Sequence, residues 1–170
     1  GLILFEKKDQ CHVAAGIFSD LIDSQNPDIN LSSRFHLGVC LHEMNLPMEG
    51  ALYLNKVIRL QNPNFTANAI KTSLQDIQGQ HEGAFVDAIM TLKDQTLIPK
   101  EAVPEIDYLK AKHFIKNGYP QKALELAEKI PATHSRYYKA QYIAVVAEYI
   151  MGRLDSSIEL SKRIAAELIK

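Results

Sequence analysis

The chain has 170 residues, 46% of them hydrophobic and 23% charged, which is the balance of a soluble protein with a real core. A net charge of −1 gives no general attraction to phosphate backbones or anionic lipid, so nucleic acid is not an expected partner. The longest apolar block, residues 142–151, is broken by Glu148 and falls well short of the roughly 18 apolar residues that a bilayer span needs. Membrane insertion is not expected.

Apolar residues recur at helical spacing in every long segment, and no run alternates as a strand would. Residues 2–8 read as the end of a helix, Asp9 and Gln10 as a turn, and a second helix passes through Ala14, Ala15, Phe18, Leu21 and Ile22 to stop near Asn26 and Pro27. Residues 31–44 form the next helix, with Phe35, Leu37, Gly38 and Leu41 on its packed side. Asn45 turns the chain, and Pro47 suits the first turn of a helix that carries Ala51, Leu52, Leu54, Val57, Ile58 and Leu60. A third pair spans 65–98 with its turn at Gly79. The fourth spans 104–131, turning at Gly118 with Pro120 beyond it, and Pro131 predicts a short second helix. The fifth spans 135–170 and turns at Gly152, with Asp155 as the predicted N-cap of the last helix. Residues 93–105, with Pro99 and Pro104, form a longer connection and a possible joint within a single domain over 1–170.

One phrase runs through these segments: a turn residue, a few polar residues, then a small residue opening an apolar run. The small residues Ala14, Ala51, Ala84, Ala123 and Ser157 stand 37, 33, 39 and 34 residues apart. A period near 34 with two helices per unit is the mark of stacked helical hairpins, each too small to bury its apolar stripes alone. Small residues at Gly38, Ala51, Ala84 and Ala123 are expected where helices approach closely.

Leu37-Gly38, Leu41, Asn45, Glu49-Gly50-Ala51-Leu52 and Pro63 in the second unit, the strings starting at Gly118 and Gly152, and Ala14 and Phe18 in the first resemble the tetratricopeptide repeat family. The resemblance covers nearly the whole chain. It departs from the family in having no Trp and in placing Gly on a first helix only at Gly38. It implies an all-α, right-handed superhelical solenoid of about five antiparallel hairpins, over 1–28, 31–63, 65–98, 104–131 and 135–170. It also implies a concave groove lined by first helices. Carried onto this sequence, the groove positions are Phe35, Val39 and His42, then Tyr108, Lys112 and Ile115, then Tyr142, Val146 and Tyr149, with Ser32, Glu43, Lys116 and the polar Asn68, Thr72, Gln75 and Asp76 beside them.

The implied function is a non-catalytic scaffold or adaptor that holds a peptide segment or partner protein. Alternatives are a regulatory or substrate-recruiting domain of a larger enzyme or secretion assembly, and a self-associating module. Self-association would use the last helix, where Ile158, Leu160, Ile164, Ala165, Leu168 and Ile169 give a broad apolar arc and a route to a homodimer. The six histidines form no i, i+4 pair and no zinc spacing with cysteine, so neither metal nor cofactor is expected. Cys11 and Cys40 fall one unit apart and read as buried thiols, with a disulfide between adjacent units as the other possibility. No nucleophile elbow or phosphate loop points to catalysis. A piece of a longer protein is one reading of a chain that opens on Gly1, and the missing leader then leaves the compartment open between cytoplasm and periplasm.

Overall fold

The computed structural model describes residues 10–75, 77 and 81–169. Among these the secondary structure is helical, with no strand. The helices are α1 (Cys11–Leu21), α2 (Pro27–Glu43), α3 (Pro47–Leu60), α4 (Thr66–Gln75), α5 (His81–Met90), α6 (Val103–Lys116), α7 (Pro120–Ala127), α8 (Tyr137–Ile150) and α9 (Leu154–Leu168). The segment predicted as helical over 2–8, the turns at Asp9 and Gly79, and the position Asp76 lie outside the described residues.

Backbone contacts divide the chain into two compact units, 1–99 and 100–170, and the division falls inside the long connection at 93–105. That connection folds into two short 3-10 turns, Gln95–Leu97 and Lys100–Ala102. The Asp94 carboxylate caps the first, accepting from the Thr96 backbone N–H at 2.9 Å and its hydroxyl at 2.6 Å. These two bonds hold the Asp94 carboxyl below the usual carboxylate range.

In the first unit each helix packs on the next from α1 to α4, α3 also meets α5, and α2 touches α4. Asn26 begins α2: its side-chain oxygen accepts from the N–H groups of Asp28 (3.0 Å) and Ile29 (3.3 Å), with Pro27 as the first helical residue. This corrects the expectation that Asn26 and Pro27 stop the preceding helix, which already ends at Leu21, and that the next begins at 31. The intervening loop is tied down by Arg34 and Asn30, which both donate to the Ile22 carbonyl. The core holds Leu54, Val57, Ile58, Ala69, Ile70, Phe85, Val86, Ala88 and Ile89, each at most 1% exposed.

The close crossing of this unit is built by two glycines. A methyl group on Gly50 would lie 2.7 Å from the Gly38 carbonyl oxygen, and one on Gly38 would lie 2.8 Å from Leu54. The small residue at the crossing of α2 and α3 is therefore Gly50 rather than the predicted Ala51, which is only half-buried. Ala84, also expected at a crossing, is exposed; α5 packs through Phe85, Val86, Ala88 and Ile89 instead. At the far end, Gln61 takes the left-handed conformation (φ 55°). Its amide then reaches across to the end of α5, donating to the Thr91 carbonyl at 3.2 Å and accepting from Lys93 N–H at 2.8 Å.

In the second unit α6, α7, α8 and α9 pack in sequence, and α6 also touches α8. The helix α7 is short, ending at Ala127, as Pro131 predicts. An alanine seam runs through the core of this unit beside Ile106, Leu109 and Ile130: Ala111, Ala123, Ala127, Ala140 and Ala147 are all 0% exposed, and Ala144 is 1%. Asp155 is not the cap of α9. Arg153 occupies that position without a side-chain cap bond, and Asp155 lies inside the first turn, where its charge favours the helix N-terminus.

Candidate functional site

Three of the helix-to-helix connections share one turn, bond for bond. The helix ends in residues at left-handed φ: Asn45 at 57°, Gly118 at 78° and Gly152 at 78°. At each, the following N–H bonds back across the turn: Leu46 to the Leu41 carbonyl (2.9 Å), Tyr119 to Phe114 (2.9 Å) and Arg153 to Glu148 (3.0 Å). The turn residue itself bonds to His42, Ile115 and Tyr149 respectively, at 3.0, 3.4 and 3.0 Å. This is a Schellman termination, which favours a contact between the two flanking side chains. Leu41 and Leu46 supply an apolar pair. Phe114 and Tyr119 supply an edge-on ring pair with centroids 6.1 Å apart, and Lys122 stands over both rings. Glu148 and Arg153 supply an ion pair at 3.4 Å. The charge at Glu148, which breaks the apolar block over 142–151, is thus matched by a charge five residues on.

The same spacing sets the crossing residues. Gly38 and Gly50 correspond to Ala111 and Ala123, both 0% exposed, and to Val145 and Ser157. In the last pair the Ser157 hydroxyl donates to the Val145 carbonyl at 3.2 Å, joining α9 to α8.

The predicted groove residues fall into three settings. Phe35 is 9% exposed, with its ring 5.1 Å from Phe65 and 5.1 Å from His36. His36 in turn stacks on Phe18 at 5.1 Å. Phe35 therefore belongs to an aromatic cluster across α1, α2 and the start of α4, and it offers little free surface. His36 carries its proton on Nδ1, toward the Ser32 carbonyl at 2.7 Å; burial among rings holds its pKa below the ordinary value, partly opposed by that bond. Val39 and His42 are half-buried on the same helix.

Tyr108 is likewise 9% exposed. The Arg136 guanidinium lies 5.4 Å from its ring centre and donates to both Glu105 carboxylate oxygens, at 3.0 and 3.2 Å. Tyr108 is covered by this pair rather than open to a ligand, while Lys112 and Ile115 are half-buried beyond it. On the same helix, burial raises the Asp107 pKa and lowers that of Lys110.

The open residues are on α8: Tyr142 is 68% exposed and Tyr149 64%, with half-buried Val146 between them. Tyr138, four residues before Tyr142, extends the row at 42%. The first three groove residues belong to the first unit and the other six to the second, where α6 and α8 lie side by side.

Cys11 and Cys40 are both buried, free thiols in one apolar cluster with Ala14, Phe18 and Leu37. Burial, reinforced by the Cys11 thiol, pushes Cys40 up to about 12, so it stays protonated and unreactive. No group of three or more His, Cys, Asp or Glu side chains among the described residues is placed to hold a metal ion. No helix among them is long and apolar enough to cross a membrane.

Compared with known proteins, the chain matches no protein-family model, no curated protein and no solved structure.

Proposed function

We propose that the chain is a tetratricopeptide-like scaffold, a right-handed solenoid of about five hairpins that holds a segment of another protein and performs no chemistry itself. The observation that carries this reading is the turn repeated bond for bond at Asn45, Gly118 and Gly152, with a small residue five positions beyond each. A chain built by repetition presents repeated first helices, and repeated faces suit an extended or helical peptide. The row Tyr138, Tyr142, Tyr149 is the part of that surface with the chemistry of a binding hot spot, because tyrosine gives large contact area with a polar tip and few rotors to immobilise.

The test is capture of partners from native lysate by the wild-type chain and by a Tyr142→Ala/Tyr149→Ala variant. Both tyrosines are exposed, so the variant should keep its melting temperature and lose the partner. A partner retained by the variant removes the tyrosine row from the reading.

A second reading, self-association, is favoured by one observation. Leu154, Ile158 and Leu168 on α9, with Ile169 just after it, are 54, 52, 62 and 86% exposed. Sedimentation across a concentration series separates the two, since a monomer throughout sinks the self-association reading.

A further inference from the structure

In the first unit, polar side chains from three different helices line one small cavity. The cavity measures about 20 Å³ and is lined by Asn55 of α3, Ser73 of α4 and His81 of α5, with His42, Leu54 and Phe85 among its walls. Asn55 Oδ1, Ser73 Oγ and His81 Nε2 are all buried and make no hydrogen bond within the described structure. Asn55 is itself only 5% exposed, in a helix whose other buried positions are Gly50, Leu54, Val57 and Ile58. Buried polar atoms are almost always satisfied, so three such atoms around one space specify what fills it.

We propose that this cavity holds a single ordered water molecule, bonded at once to Asn55 Oδ1, Ser73 Oγ and His81 Nε2. Size and chemistry converge on it. A space of about 10–15 Å³ is the minimum for one water, and about 30 Å³ is a water's share of the liquid, so this cavity takes one and not two. The donor count closes. The water donates one proton to the Asn55 oxygen and the other to His81 Nε2, and it accepts from the Ser73 hydroxyl. An amide, a hydroxyl and an imidazole supply no anionic ligand. They suit a neutral molecule and leave a divalent cation without the compensating charge that burial demands. The water would be the polar joint at which α4 and α5 meet α3, in an otherwise apolar core.

Two measurements test this. A crystal structure at a resolution that places ordered solvent should show one solvent peak within about 2.7–3.2 Å of all three atoms. A dry cavity, or a protein side chain bonded to Asn55 Oδ1, overturns the proposal. Thermal unfolding of Asn55→Leu, Ser73→Ala and the double variant supplies an independent check. Loss of either partner should free the same water, so the double variant should lose clearly less melting temperature than the two single losses added. Additive losses overturn the shared water. Should Asn55→Leu fail to fold, the solvent peak alone decides.

Discussion

The two units bring their helices together by opposite means. The first brings α2 against α3 with one pair of glycines and fills the surroundings with Leu54, Ile58, Ile70, Phe85 and Ile89. The second distributes closeness along a seam of alanines from Ala111 to Ala147 and needs no glycine inside a helix. The difference extends to the aromatic side chains. In the first unit Phe18, Phe35 and Phe85 are buried; in the second Tyr119, Tyr138, Tyr142 and Tyr149 are more than 40% exposed. A seam of alanines leaves little room for large rings between helices: Tyr108 is buried beneath Arg136, but four other tyrosines of that unit lie outside. Close packing and an available aromatic surface are thus two outcomes of one choice of residue size.

The sharpest way to break this comparison is to overfill the seam. Ala123→Phe should destabilise the second unit by about 1–3 kcal/mol, because a ring cannot enter a site that is 0% exposed without displacing a helix. Unchanged denaturant midpoint would show that the seam is slack. Next comes Gly50→Ala. Its methyl would meet backbone, which cannot swing aside as a side chain can. A loss of about 1–2 kcal/mol is expected after the helix-propensity gain is subtracted. Gly16→Ala in α1 is the control, since a methyl there meets nothing within 4 Å and should stabilise by about 0.5–1 kcal/mol. Equal effects at Gly50 and Gly16 would refute the glycine crossing.

The shared turn gives a smaller pair of opposite effects. Gly152→Ala forces an alanine to φ 78° and should cost about 1 kcal/mol, whereas Asn45→Gly at φ 57° should gain a few tenths, both read from thermal melts. If the signs agree, the two turns are not equivalent.

The fourth test is pH. The His36 pKa is lowered on folding, so between its folded value and about 6.5 the unfolded chain binds more protons. The stabilisation is full above about 6.5 and falls away as the pH drops through that value. His36→Gln should therefore flatten the fall in stability on acidification relative to wild type, and parallel curves would show that another group is responsible.

Most of the helical layout could be read from the sequence because its signals are local. Pro47, Pro120, Asn45, Gly118 and Gly152 act through their own φ angles and missing donors, whatever surrounds them. The start of α2 was equally local, since Asn26-Pro27-Asp28 is a cap, a first-turn proline and a first-turn acid in order. The same Asn26-Pro27 pair can be taken for a stop, and the acid at Asp28 marks it as a start. The choice of Gly50 over Ala51 was not legible in this way. Adjacent small residues look alike along a sequence, and only the backbone distance to Gly38 separates them. The groove residues were least legible, because what covers Phe35 and Tyr108 comes from Phe65, 30 residues on, and Arg136, 28 residues on. The exposed Tyr142 and Tyr149 lie on a helix already apolar on its inner side, where the outward position follows from the period alone.

The amide of Gln61 has a consequence for how such a chain can drift over evolutionary time. It joins the close of α3 to the close of α5 through a single side chain that reads only backbone atoms, the Thr91 carbonyl and the Lys93 N–H. A contact that ignores the neighbour's side chains places no demand on its sequence. The helix beside it could drift in sequence and the join would still form, which leaves the remaining surface free to diverge.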